Sequence, residues 1–178
     1  MAFYRAEPAM QEHLVGLIDH FADQGRPGLH EQIAVNWVRY DQANLSTGSG
    51  FGAAWADQKP LYPASVVKLV YAVAVEAWLQ KGLLLETAEL RRAVNDMIAI
   101  SSNDATGLVV DCLTGTSSGP DLQGEAWVSW QRQRQLVNEW LSDFGWGEFE
   151  RVNCCQKTWG DGPYGREQRF YGENNCNR

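Results

Sequence analysis

Ser65-Val66-Val67-Lys68 sets a hydroxyl and an amine three residues apart, directly ahead of the apolar run from Leu69 to Val75. Residues at that spacing share one face of a helix. A serine hydroxyl is a weak nucleophile at neutral pH until a neighbour takes its proton, and a lysine inside an apolar helix is driven toward its neutral, proton-accepting form. An S-x-x-K arises by chance about once in a chain of this length, and its bland reading is a helix N-cap followed by a first-turn surface lysine. A second polar cluster, Ser101-Ser102-Asn103, argues against the bland reading. It follows the apolar stretch Met97-Ile98-Ala99-Ile100 and precedes a second one ending in Val109-Val110, which pins a short polar tract between two helices. Ser102, Asn103 or Asp104 reads as the cap of the helix that follows, and a capped, rigid turn can aim a hydroxyl and a carboxamide at a nucleophile on an adjacent helix.

Taken together, Pro63-Ala64-Ser65-Val66-Val67-Lys68-Leu69 and the stretch from Met97 to Thr106 make the chain resemble the class A β-lactamase and penicillin-binding protein superfamily, whose signature is S-x-x-K, S-D-N and K-T-G. Two of these motifs stand in the family's order, with 36 positions from Ser65 to Ser101. Ser102 stands where class A enzymes carry aspartate, while the broader S-x-N form of the penicillin-binding proteins is met. The resemblance implies an α+β fold of the β-lactamase/transpeptidase type, with an amino-terminal helix and a β-hairpin of the sheet, then an all-helical lobe whose first helix opens at the catalytic serine. It implies Ser65 as nucleophile, Lys68 as base or proton relay, Ser101 as proton donor to the leaving nitrogen, and Asn103 as the group that binds the substrate's amide side chain. The backbone N–H of Ser65 supplies half of the implied oxyanion hole. The expected function is that of a serine hydrolase acylated by a β-lactam or a related amide or ester. A D,D-peptidase-like acyltransferase and a catalytically silent, truncated domain are the alternatives.

The elements that must position these residues are legible in outline. Glu7 to Asp23 carries Leu14, Leu17, Ile18 and Phe21 at helical spacing and is stopped by Gly25-Arg26-Pro27-Gly28. Ile33 to Tyr40 and Phe51 to Trp55 have strand character and are joined by the turn-rich Asp41 to Gly50, a hairpin beside a helix. Helices are expected over Ser65 to Lys81, Thr87 to Ile100, Ala105 to Leu113 and Gln131 to Phe144. Thr116 to Pro120 reads as a loop. Asp121 to Trp130 reads as an exposed turn, a short helix or a partner surface, its two tryptophans favouring buried aromatic packing. Beyond Glu150 no helical period is visible, and 151–178 reads as a polar loop. The expectation is one incomplete domain over 1–178, divided at 1–60, 61–150 and 151–178.

With 178 residues, 44% of them hydrophobic, the chain can bury one substantial core. A net charge of -7 with no cluster of basic residues argues against nucleic acid or an anionic membrane as the principal partner, leaving a small-molecule or peptide amide substrate. Oligomeric state is open. The amino terminus lacks the basic and apolar regions of a secretory signal, and the run from Val66 to Val75 is too short to span a bilayer. The default compartment is therefore cytoplasmic, although members of the resembled family usually work outside the membrane. Cys112, Cys154, Cys155 and Cys176 form no C-x-x-C pair and have no histidine at zinc spacing, so neither a metal nor any other cofactor is expected. Cys112 reads as core, and the other three read as loop thiols open to oxidation.

Two parts of the family pattern are missing from this reading. No K-[TS]-G strand follows the helical lobe, so the chain is expected to be truncated before it. Lys157-Thr158-Trp159-Gly160 is a poor substitute, with tryptophan intruding and loop-like flanks. No E-x-x-L-N loop is recognised either. Gln156 falls near the expected glutamate, and an amide is no general base. Glu167 or Glu173 can replace it only where the loop folds back, and both otherwise read as solvated carboxylates. Two strands alone expose an edge and leave the Ser65 helix short of cover.

Overall fold

A proline at the first turn and buried apolar residues at Met10, Leu14 and Ile18, four apart, build helix α1 (Pro8–Asp23). It packs on a small sheet in which β2 (Val35–Arg39) pairs antiparallel with β3 (Gly50–Trp55), Val35 opposite Trp55 and Arg39 opposite Phe51. This is the helix and hairpin expected. The computed structural model adds β1 (Tyr4–Ala6), parallel to β3 on its other side, and a single helical turn, α2 (Leu29–Gln32). The sheet therefore has three strands, in the order β1-β3-β2, rather than the two expected. β1 is too short to show an alternation, and only its pairing identifies it. Gly52 lies in the middle strand where a Cβ would come within 2.7 Å of the Trp37 carbonyl oxygen and 2.8 Å of the Tyr4 ring, so the close three-strand packing needs glycine there.

The structure describes residues 4–41, 46 and 48–178, so residues 42–45 and 47 of the expected Asp41–Gly50 turn lie outside the described residues. Helix accounts for 52% of the described residues beside this small mixed sheet, an α+β composition. The chain divides into two compact units, Met1–Lys59 and Pro60–Arg178. The core of the first is Met10, Leu14, Ile18 and Ala53, closed by Leu29, Val35, Phe51 and Trp55.

The second unit is helical. A 3-10 turn over Ala64–Val66 leads into α3 (Val67–Gln80), followed by α4 (Ala88–Ala99) and α5 (Asn103–Thr114). Thr87 and Ser102 cap α4 and α5 through their hydroxyls, accepting from Leu90 N–H and Ala105 N–H. One face of α3 (Val67, Tyr71, Ala74, Val75 and Trp78) meets Leu90, Ala93 and Met97 of α4 and Val109, Val110 and Leu113 of α5 in the main core. Its opposite face leaves Leu69 and Val73 61% and 53% exposed, and Val66 in the turn before it is 70% exposed. Among the described residues no helix is long and apolar enough to cross a membrane.

The expected helix over Gln131 to Phe144 is instead two, α6 (Gly124–Arg134) and α7 (Leu136–Ser142), which meet at Gln135. Asp121 to Trp130 thus runs into α6. Trp127 and Trp130 are buried, stacked at 5.5 Å and met edge-on by Phe170, so they are packing aromatics rather than a partner surface.

The segment 151–178 is largely without regular structure, as read, but it is not a solvated polar loop. It contains α8 (Arg166–Gly172) and seven buried side chains, Cys154, Cys155, Gln156, Lys157, Glu167, Phe170 and Asn177. A seven-residue helix spans barely two turns, too short for a period to be read from one sequence. Cys154 and Cys155 are core residues, while Cys112, expected in the core, is half-buried; all four cysteines are free thiols. Burial pushes the Cys154 and Cys155 thiols up to about 12, so they are poor candidates for oxidation in the native state.

The carboxy-terminal residues are tied to this core by Asn177. Its Oδ1 accepts from Tyr71 Oη at 3.2 Å, Cys155 N–H at 3.2 Å and Gln156 N–H at 2.9 Å, and its Nδ2 donates to the Gln156 carbonyl at 2.8 Å. Removing a side chain that answers several buried donors leaves them unmatched. Asn177→Ala should cost about 2–3 kcal/mol in urea unfolding; a loss below about 0.5 kcal/mol would show that the segment contributes little to the fold.

Candidate active site

Lys68 lies in the first turn of α3 on its buried face and is 2% exposed. Its Nζ contacts three oxygens brought by the α4–α5 link: the Ser101 carbonyl at 2.5 Å, Ser101 Oγ at 2.8 Å and Asn103 Oδ1 at 3.0 Å. Residues 33 and 35 positions away in the chain thus meet at one amine. The surface-lysine reading of Lys68 is excluded by its burial.

The link is shaped for this contact. α4 ends at Ala99 with Ile100 as its C-cap, and Ser101 takes the left-handed conformation (φ 57), where glycine is the usual occupant. The Ser102 N–H then reaches back to the Asp96 carbonyl at 3.1 Å, and the Ser102 side chain caps α5. The turn presents both the carbonyl and the hydroxyl of Ser101 to Lys68. A second non-glycine residue in the left-handed region, Ala64 (φ 47), immediately precedes Ser65. Strained positions of this kind concentrate at functional sites.

The Lys68 contacts restrict its protonation states. The two carbonyl oxygens can only accept, so they take two N–H bonds whether the amine is charged or neutral. Ser101 Oγ can accept a third from an ammonium or donate its own proton to the lone pair of a neutral amine. Burial lowers the Lys68 pKa below the ordinary lysine value. The neutral form is thereby brought nearer the working range, with the Ser101 hydroxyl as its proton partner.

Ser65 sits in the 3-10 turn ahead of α3, exposed, and no hydrogen bond joins its Oγ to Lys68 Nζ. Its N–H belongs to the free donors at the start of the helical segment. Lys68, Ser101 and Asn103 are therefore assembled, while Ser65 stands one turn away on the solvent side.

Lys157 lies elsewhere. Its Nζ pairs with Asp111 Oδ2 at 2.7 Å and donates to Ser118 Oγ at 2.7 Å. Glu167 is fully buried rather than a solvated carboxylate, its Oε1 2.6 Å from Arg134 Nη2 and 3.0 Å from Ser118 Oγ. Glu173 is exposed and accepts from Gln131 and Arg169. Gln156 is buried against α3, its carbonyl accepting from Tyr71 Oη at 2.7 Å. One further spacing signal stands in the chain here. Glu173-Asn174-Asn175-Cys176-Asn177 holds a glutamate and an asparagine four apart, with cysteine in the leucine position of E-x-x-L-N. Its asparagine is the one bound to Tyr71, one turn along α3 from Lys68. The buried network of Arg134, Glu167, Asp111 and Lys157 had no such signal, because its members are scattered along the chain.

Comparison with protein-family models, curated proteins and solved structures finds no match to this chain.

Proposed function

We propose that the protein is a serine acyl-transfer enzyme of the β-lactamase and penicillin-binding type, acylated at Ser65 by a β-lactam or a related amide or ester. The observation that carries this reading is the buried Lys68 amine held by Ser101 and Asn103, since an S-x-x-K lysine and an S-x-N pair converge on one atom. In the proposed reaction, the Ser65 hydroxyl turns toward Lys68 and passes its proton to the neutral amine as Oγ attacks the carbonyl carbon. Apo hydrogen bonds of this kind commonly tighten only with substrate. The C–O bond forms and the C–N bond breaks. Ser101 gives its proton to the leaving nitrogen and recovers one from Lys68. The Asn103 carboxamide, its oxygen bound to Lys68, offers its NH2 to the substrate's amide. The Ser65 N–H supports the oxyanion.

Turnover of the acyl-enzyme needs a base for water. Glu167 is committed to Arg134, and Glu173 to Gln131 and Arg169. This favours a persistent acyl-enzyme, the penicillin-binding or D,D-peptidase-like form of the same chemistry. Intact-protein mass spectrometry after exposure to a fluorescent penicillin tests both points. A stable adduct mapped to Ser65 supports acylation without fast hydrolysis, rapid loss of the adduct supports a β-lactamase, and no adduct with either a penicillin or an activated ester supports the silent alternative.

The lowered Lys68 pKa adds a pH signature. Acylation should accelerate as pH rises through an inflection below the ordinary lysine value of about 10.4, because the neutral amine is the base. Stability should move the same way. Between the folded and unfolded pKa values the unfolded chain binds more protons at this site, so its contribution to stability grows with pH across that window. An acylation profile flat from pH 6 to 10 would remove Lys68 as the base.

A further inference from the structure

Beside the proposed acylation centre lies a cleft of about 410 Å³, lined by Asn103, Asp104 and Asp111 on α5 and by Lys157, Trp159 and Tyr164 on the loop ahead of α8. Its volume falls in the range of small-ligand sites. Asn103 belongs to both features: its Oδ1 contacts Lys68, and its residue borders the cleft. A substrate whose amide meets Asn103 therefore continues naturally into this space.

The charges of the cleft select what can enter. Lys157 is neutralised by Asp111 at 2.7 Å, and the adjoining Arg134 by Glu167 at 2.6 Å, so these two cations and two carboxylates balance internally. Asp104 differs from them. It is exposed and has no ion pair or hydrogen bond among the described residues. A carboxylate in the first turn of a helix complements the dipole and needs no ligand. Here it shares a cleft with an aromatic pair, Trp159 and Tyr164, whose rings are 5.4 Å apart. In the same loop the Thr158 hydroxyl and the Trp159 indole N–H are buried with no hydrogen-bond partner. A carboxylate sharing a cleft with aromatic side chains is the recognition chemistry of an organic ammonium group.

From this arrangement we infer that the cleft receives the side chain of the acylating substrate and selects one bearing an ammonium group, with Asp104 as counter-ion and Trp159 and Tyr164 as the aromatic wall. The inference rests on the proposed acylation and names its substrate class. The chemistry at Ser65 is unchanged by it; what changes is which acyl donors are held in place.

The test separates binding from reaction by using the full chain with Ser65→Ala, which cannot be acylated. Two penicillins serve as probes, ampicillin with a free α-amino group and benzylpenicillin without one, followed by the indole N–H resonance of Trp159, which is identified by its loss in Trp159→Phe. Ampicillin should shift this resonance at about fivefold lower concentration than benzylpenicillin, the preference expected of one exposed ion pair plus one cation–π contact. Asp104→Asn in the same background should erase the difference. A Trp159 resonance unmoved by either penicillin, or a preference that survives Asp104→Asn, would overturn the inference. Acylation of Ser65 in the wild type is scored separately: an adduct with no Trp159 shift sinks the cleft proposal alone, while a discriminating shift with no adduct sinks the acylation reading and leaves the cleft as an ammonium-binding site.

Discussion

Ser65→Ala is expected to abolish covalent labelling by a penicillin, and Lys68→Ala to slow labelling by at least about 100-fold, the usual loss when a general base is removed. The two substitutions act at different points of the same step. Without the hydroxyl no C–O bond can form. Without the amine the hydroxyl remains, yet nothing accepts its proton, and Ser101 and Asn103 lose the atom that holds them together. Lys68→Ala also leaves buried oxygens without a donor, so part of its effect is structural. Lys68→Arg separates the two roles, because guanidinium keeps the charge and the donors but does not deprotonate in a protein. If Lys68 is the base, Lys68→Arg labels as slowly as Lys68→Ala even when circular dichroism shows a native helix content. Equal labelling of wild type and Ser65→Ala would remove the proposed nucleophile, and near-wild-type labelling of Lys68→Arg would reduce Lys68 to a structural post.

The second large effect is on stability. Arg134 and Glu167 are both fully buried and 2.6 Å apart, Arg134 lies over the Trp130 ring at 4.6 Å, and Glu167 also accepts from Ser118. Burial lowers the Arg134 pKa, while the nearby Glu167 and Asp111 carboxylates oppose that shift and favour the charged guanidinium. Removing one partner of such a pair strands the other in a low-dielectric interior, a loss of about 3–5 kcal/mol. Glu167→Gln keeps the shape and removes the charge, so its expected cost of about 3 kcal/mol reports the uncompensated guanidinium. Urea unfolding measures it. The double substitution Arg134→Met with Glu167→Gln should recover at least half of the loss, because no buried charge then remains unpaired. A cost below about 1 kcal/mol for Glu167→Gln would mean that Asp111, 3.5 Å from the same guanidinium nitrogen, suffices by itself.

The expected and observed structures agree wherever a local period or cap decides the matter. α1, the β2–β3 pair, α3, α4 and α5 lie within a few residues of their expected positions, because amphipathic spacing, Thr87 and Ser102 caps and the Gly25 stop are written locally. The departures occur where several short pieces must cooperate. β1 is a strand only because β3 offers it an edge, and α8 is a helix only because Phe170 and Glu167 find a core. The Cys154–Lys157 stretch has no helix or strand, and its burial is not legible locally because its polar residues are satisfied by partners tens of positions away, such as Asn177, Asp111 and Ser118.

The candidate site divides along the same line. The residue types and spacing of Ser65-Val66-Val67-Lys68 and Ser101-Ser102-Asn103 determined by themselves that a hydroxyl, an amine and an amide stood at helix ends, since i to i+3 spacing and capping are properties of a few consecutive residues. Only the tertiary structure decided that Lys68 is buried, that Ser101 and Asn103 rather than Ser65 hold its amine, and that Lys157 and Glu167 serve a separate buried network. The reason is physical: desolvation and charge pairing depend on which distant surfaces are brought together, and no local pattern encodes that choice.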